Sequence, residues 1–287
     1  MATNFAIPDS LEIAYRRAIS SLMKSWLPEK LKDVSDSHWL RELAAKSNQK
    51  SVLLESSKVA FNMITRINVV NLKSWKDAAV QTQRSIVIHD LLQQELSGRM
   101  GVRVKSLVAL NAKYLADIPS NVAAQLLNEI AEAQQKGIRH DAIAKILRFR
   151  FPSLIDSRIR LLARTATSSA NTILTRARSE DLGISCFEWF TAQDGQRVRP
   201  SHRNMQGVVC FWGELPSPEA LIGLKPSLGN YAAGDCPNCR CNSLPILHTE
   251  SIFDRNHIVR VYHNGVIQKM TRKQFTNLSG IESRLAA

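Results

Sequence analysis

Three of the chain's five cysteines fall within six residues, Cys236-Pro237-Asn238-Cys239-Arg240-Cys241. A Cys-x2-Cys turn offers two thiolates to one metal ion, and alternate side chains of an extended Cys-Arg-Cys stretch point the same way, which brings a third sulfur near. Tetrahedral zinc then needs one more donor. His202, in the run Asp194-Gly195-Gln196-Arg197-Val198-Arg199-Pro200-Ser201-His202, is the first candidate, Cys210 the second and His248 the third. The expected set is therefore His202, Cys236, Cys239 and Cys241, with Cys210 as the alternate ligand. Two other readings stand beside zinc: inert buried thiols, and disulfides, for which an odd cysteine count and such close spacing are poorly suited. Cys186, beside Phe187 and Trp189, reads as a small core residue.

Three sulfurs favour a closed structural site, because a catalytic zinc keeps a position open and usually takes histidine and carboxylate ligands. No His-Glu-x-x-His, P-loop or Gly-x-Ser-x-Gly pattern occurs in the sequence. Asp194, Arg197, Arg199 and His202 can be arranged as a phosphodiesterase-like set, and a metal-dependent nuclease or phosphoesterase is the alternative this suggests. The simpler use gives Asp194 to the turn, Arg197 and Arg199 to anchoring the loop, and His202 to the metal. No enzymatic activity is expected on that reading.

The elements that position these residues change character along the chain. Leu11, Ala14, Ala18, Leu22 and Trp26 recur at helical spacing behind Asp9 or Ser10 as N-cap. Further helices are expected over 51–68, 73–96 and 102–116, then one opened by Pro119 and closed by Gly137. After Pro152, the residues Ile155, Ile159, Leu162, Ala166, Ala170, Ile173 and Ala177 mark a long helix that ends before Gly183. Arg164, Asn171 and Arg178 follow one another at seven-residue steps along one side of it, a row suited to phosphate or, more simply, to tying the helix to its neighbours. Cys186 to Thr191 alternates as a strand, and Asp194-Gly195 marks a turn. From Phe211 to Asn242, Gly, Pro, Ser and Asn abound without periodic hydrophobicity, so that burial alone would hold this stretch poorly. Asn264-Gly265 between two β-branched runs predicts a hairpin.

The fold class expected is α+β: a mostly helical N-terminal region (1–118), a small loop-rich α+β module with a long helix, short strands and a zinc site (119–250), and a β-hairpin with a basic tail (251–287). The net charge of +13 favours polyanionic partners. It is unevenly placed, with 22 basic against 14 acidic residues over 1–150 and 6 against 2 over 251–287, but 5 against 6 over 184–250. The basic surplus is therefore at the two ends and away from the cysteines. No apolar run approaches the ~18 residues that cross a bilayer, and the first residues lack a basic-then-apolar signal layout, so neither membrane partners nor export is expected.

The ordered run Leu161-Leu162-Ala163-Arg164-Thr165, Ala170-Asn171, Gly183-Ile184, Trp189, Asp194-x-x-Arg197-x-Arg199-x-x-His202, Gly207 and Asn238-Cys239-Arg240-Cys241 resembles the phage Mu protein F-like minor head proteins, also called phage head morphogenesis proteins. The resemblance covers roughly residues 120–247. Where relatives commonly have Arg-Thr-Glu, this chain has Arg164-Thr165-Ala166, which removes a carboxylate; where they often have His-Pro-x-Cys-Arg-Cys, it has Cys236 in the histidine position, and both types bind zinc. The resemblance implies a minor capsid protein of a tailed double-stranded DNA phage, acting in head assembly at the portal and capsid interior. Portal protein and capsid or scaffolding proteins would be its partners, with double-stranded DNA contacted without sequence preference. It would reside in the virion, and in host cytoplasm during assembly. Within the module, Arg164, Asn171, Trp189, Asp194, Arg197, Arg199 and Arg240 are expected as structural anchors.

Overall fold

In a computed structural model of the protein, the described residues are 5–27, 38–80, 99–193, 197–226, 228–253 and 257–279, without the side chains of residues 99 and 140. The helices are α1 (Asp9–Trp26), α2 (His38–Lys46), α3 (Lys50–Val80), α4 (Arg99–Ala116), α5 (Ile118–Gln135) and α6 (His140–Asp181). There follow β1 (Cys186–Phe190), α7 (Pro200–Met205), β2 (Val208–Phe211), β3 (Asn242–Pro245), α8 (Glu250–Phe253), β4 (Ile258–His263), β5 (Val266–Thr271) and α9 (Arg272–Ser279). The class is α+β, with one five-stranded sheet. Among the described residues no helix is long and apolar enough to cross a membrane.

The chain divides into two compact units, each built from separate stretches of sequence. One comprises 8–66 and 105–166 and is helical. Its α1 starts at Asp9 behind Pro8, and no side chain caps it; Asp9 and Glu12 instead put carboxylates at the positive end of the helix. The buried stripe of α1 is Leu11, Tyr15, Ile19, Leu22, Met23 and Trp26, which departs from the expected one by replacing the alanines with larger side chains one position on. Within this unit, the Trp26 indole donates to Glu55 at 2.7 Å, Trp39 meets Phe151 edge to face, and Arg164 lies 3.5 Å from Glu12.

The other unit comprises 1–7, 67–104 and 167–287 and contains the sheet, in the order β3-β1-β2-β4-β5. Only β2 and β4 pair in parallel. Period-two alternation gives the sheet two buried faces. Phe187, Trp189, Val208, Cys210 and Tyr262 point to one, with Cys236, Cys239 and Cys241; Cys186, Val209, Val259, Val261 and Met270 point to the other, with Phe253 of α8 and Phe275 of α9. A one-residue slip in β1 or β2 would exchange these sets, so the register is firmly specified. At the β4–β5 turn, Asn264 and Gly265 both have positive φ (51° and 81°), as the Asn-Gly pair requires.

Two helix boundaries differ from the sequence expectation. The break predicted between 68 and 73 does not occur, and α3 runs through it; the remainder of the helix expected over 73–96 lies outside the described residues beyond Val80. The polar residues that suggested a break are used in the core instead. Asn71 donates to Asn171 Oδ1 at 2.6 Å and to Thr175 at 2.7 Å, and the buried Arg178 guanidinium donates to Asn68 (2.8 Å) and to Asn71. Asn171 completes the network by donating to the Phe5 carbonyl at 2.9 Å. The second difference is Pro152, which lies inside α6 rather than at its start. Its ring is on an exposed side, where water can satisfy the carbonyl that loses its partner, and Ser153 donates to Arg150 O in the same turn.

Within the sheet unit, the loop at Gly234 is fastened to the C-terminal part of α6, residues 167–181. Thr172 Oγ1 and Ser243 Oγ both donate to Ala233 O (2.7 and 3.1 Å), and Ser169 meets Asp235 at 2.5 Å. Gly234 itself has φ +89°, and a Cβ there would lie 2.5 Å from Thr172 Oγ1, 2.8 Å from the Cys241 carbonyl and 2.9 Å from Ser168 Oγ. Gly234→Ala should therefore cost about 2 kcal/mol or more by combining backbone strain with overpacking, read as a lower urea midpoint at unchanged slope. A variant within 0.5 kcal/mol of wild type, the ~0.5 kcal/mol range of ordinary surface changes, would show that this approach is not constrained.

Candidate metal centre

Two separate pieces of chain bring the four expected donors together. Pro200 opens the short α7 at its first position, where a missing N–H is harmless, and His202 sits in its first turn. Gly207, with φ +71°, reverses the chain between α7 and β2, and its N–H donates to Trp189 O. The cysteines arrive from the other side on a tight turn: Cys239 N–H donates to Cys236 O at 3.2 Å, and Asn238 takes the left-handed conformation (φ 60°) that asparagine tolerates better than most residues.

Cys239 Sγ lies 3.6 Å and Cys241 Sγ 3.4 Å from His202 Nδ1, while Cys236 Sγ lies 3.8 Å from Nε2. His202, Cys236 and Cys239 place one donor atom each within 4.8 Å of one another. All four residues are buried, none more than 4% exposed. Zinc–sulfur and zinc–nitrogen bonds of ~2.3 and ~2.0 Å give tetrahedral donor–donor edges of roughly 3.5–3.8 Å; the Cys239 and Cys241 spacings to Nδ1 are of that size, while Cys236 stands at such a distance from the other ring nitrogen. Among the described residues this three-membered group includes none of Cys241, Cys210 and His248, although Cys241 Sγ reaches His202 Nδ1. Cys210 is buried in β2, with its thiol 3.8 Å from Val208 O, and His248 caps α8 by accepting from Ser251 N–H.

The three sulfurs share charge. The Cys239 thiol is pulled far below its ordinary value, first by the Cys236 hydrogen bond and then by that of Cys241, against an opposing burial effect. Cys236 and Cys241 are pushed up, chiefly because their protons are held on Cys239 and then by burial. Cys241 N–H also donates to Cys239 Sγ at 3.3 Å, and the Arg199 guanidinium donates to Cys236 Sγ (3.3 Å) and to Pro237 O (2.6 Å). Negative charge thus collects on sulfur at a buried point, which is where a soft cation is favoured. All five cysteines are free thiols.

Of the expected anchors, Trp189 forms a wall of the group, edge-on to His202 at 5.4 Å and tilted against Tyr231 at 6.0 Å. Arg199 holds the cysteine turn, Arg197 is exposed and Arg240 is half-buried. Asp194, with the turn expected there, lies outside the described residues. Asn171 and Arg178 serve the α3–α6 contact, and Arg164 pairs with Glu12, so this row is not at the metal group.

The sequence reading missed Tyr231 and Glu219. Tyr231 Oη is 3.0 Å from His202 Nε2 and donates to Glu219 Oε1 at 2.7 Å; Ser201 Oγ is 3.4 Å from the same oxygen. The Tyr231 hydroxyl is pushed above its ordinary range by burial and then by Glu219 accepting its proton. Both residues come from the aperiodic stretch after Phe211, where no local spacing marks them.

Cys186, against the far face of the sheet, has its thiol pushed up to about 12 by burial, and Cys210 is raised by burial and by Cys186. Neither should form thiolate near neutrality. At pH 8 iodoacetamide should leave both unmodified in native protein and label both after unfolding, read by peptide mass spectrometry; native labelling would contradict their burial.

Residues 124–244 match the family described as phage Mu protein F like protein. The chain is also 28% identical over 159 residues to an uncharacterized protein of Haemophilus influenzae, covering 55% of this chain and 32% of that protein. An uncharacterized protein of Methanocaldococcus jannaschii is 33% identical over 132 residues, covering 45% of this chain and 18% of the relative. The chain thus spans a third or less of these relatives' lengths. No solved structure gives a significant match. The matched segment holds the long helix, the strands β1 and β2, His202 and the three clustered cysteines, and over it this chain is similar to the phage Mu protein F like proteins.

Proposed function

We propose that this chain is a structural, non-enzymatic component of a tailed-phage head whose sheet unit is stapled by one zinc ion held by His202, Cys236, Cys239 and Cys241. The observation that carries this reading is the burial of three sulfurs and an imidazole around one point, inside the segment that matches the phage Mu protein F like family. Bound zinc would supply a cross-link and no open coordination position. The protein's own residues supply the rest: Arg199 braces the cysteine turn, Gly234 lets that loop approach α6, and Trp189 excludes water from the imidazole edge. Such a site supports a minor capsid role in head assembly, with portal and capsid or scaffolding proteins as partners in the virion. The basic ends of the chain are the parts suited to packaged double-stranded DNA.

Protein purified under reducing conditions should carry about one zinc per chain by elemental analysis. Cys239→Ser or His202→Ala should remove it and lower stability by several kcal/mol, because structural zinc binding is folding free energy, on the order of 10 kcal/mol in small zinc domains. Wild-type protein without metal, or variants as stable as wild type, would contradict the staple.

The assembly role is tested by gradient sedimentation of particles from cells that express the cognate head genes. The chain should co-migrate with heads, and a chain found only in the free fraction would contradict it. Duplex DNA binding should weaken steeply between 50 and 200 mM salt, by ~10³-fold or more if six or more phosphates are contacted. No binding at low salt would remove the DNA contact and leave the assembly role standing.

A further inference from the structure

A buried carboxylate stands two hydrogen bonds from the proposed metal ligand. Glu219 is 9% exposed, its Oε2 has no hydrogen-bond partner, and among the described residues no lysine or arginine forms an ion pair with it. Burying a carboxylate with so little compensation is costly unless something positive lies within reach. What it does contact is the Tyr231 hydroxyl and, at longer range, Ser201.

The donor inventory fixes the direction of this chain of contacts. Tyr231 gives its single hydroxyl proton to Glu219 Oε1 at 2.7 Å. The Tyr231 oxygen then presents a lone pair to His202 Nε2 at 3.0 Å, and that nitrogen must carry the imidazole proton. A neutral imidazole has one N–H, which leaves Nδ1 bare. Two of the three sulfurs lie against Nδ1, Cys241 at 3.4 Å and Cys239 at 3.6 Å, while Cys236 lies 3.8 Å from Nε2.

The chain invests backbone contacts in delivering these two residues. Tyr231 N–H donates to Pro216 O at 3.0 Å, and Glu219 precedes a 3-10 turn, Ala220–Ile222, that ends at the left-handed Gly223. This loop closes on α7 through Ser201, the residue just before His202. Its poor hydrophobic periodicity is what a segment shaped to carry a polar relay would show.

We propose that Tyr231 and Glu219 are positioning residues that fix the tautomer and ring orientation of His202, so that Nδ1 is the metal-binding atom and Nε2–H is held by Tyr231. This rests on the zinc reading above. Partners of this kind raise the basicity of a ligating histidine, and their removal commonly weakens metal binding 10- to 100-fold. Nothing in the relay touches a reacting group; its effect passes through His202.

The test uses the full chain in two measurements. Long-range ¹H–¹⁵N correlation of the zinc-loaded wild type should show His202 protonated at Nε2 and coordinated at Nδ1; coordination through Nε2 overturns the proposal. Competition of zinc against a chromogenic chelator should show Tyr231→Phe and Glu219→Gln binding about 10- to 100-fold more weakly than wild type, with Glu219→Asp recovering part of the loss. Wild-type affinity in both variants overturns the proposal while leaving the metal site in place. A wild type that binds no zinc defeats the underlying reading, and this one with it. Should either variant fail to fold, the wild-type spectrum alone still decides.

Discussion

The structure turns on a concentration of sulfur at a point shielded from solvent. Three buried thiols surround one imidazole, each sulfur 3.4 to 3.8 Å from a ring nitrogen, and two arrangements lower the free energy of such a cluster. Either one sulfur takes the negative charge and its neighbours hydrogen-bond to it, or a cation replaces the protons between them. The first arrangement is visible in the depressed Cys239 and raised Cys236 and Cys241 thiols. The second would satisfy all four groups at once and would join α7 to a loop whose other buried side chains are chiefly Trp212, Tyr231, Ala232 and Ala233.

The surrounding fold is arranged to hold that point still. β1 and β2 are buried on both faces, so their register places Trp189 and Cys210 toward the cysteines and Cys186 and Val209 away from them. The cysteine loop is fastened from three directions: by Arg199 to the turn carbonyl, by Thr172 and Ser243 to Ala233 O, and by the bare approach at Gly234. A cross-link of this kind would suit a part that must keep its shape within an assembly, because it adds to the two apolar faces of the sheet a tie that resists local opening.

What could be read from the residues was what depends on short spacing. Cys236 to Cys241 announces its chemistry within six residues, Asn264-Gly265 announces the hairpin, and the alternation after Cys186 announces β1. His202 could be nominated because the family motif and the donor count both needed it. Contacts between distant stretches were out of reach. Asn68 and Asn71 look like a helix break until Arg178, more than a hundred residues on, is seen to fill their carbonyl oxygens. Pro152 looks like a start until its ring is found on an exposed side of a continuous helix. Tyr231 and Glu219 lie in a segment whose periodicity carries no signal, so only their meeting with His202 in space gives them a role. Cys210 occupies an inward strand position on the same face as the three cysteines, but its thiol lies 3.8 Å from Val208 O and outside the group of His202, Cys236 and Cys239.

The central claim is that one cation sits within three sulfurs and one nitrogen. X-ray absorption at the zinc K-edge, on protein purified without added metal, addresses it directly. The account predicts a four-coordinate first shell of about three sulfurs at ~2.3 Å and one nitrogen at ~2.0 Å. A shell dominated by oxygen, a two-sulfur shell with water, or no zinc signal in stable folded protein would contradict it.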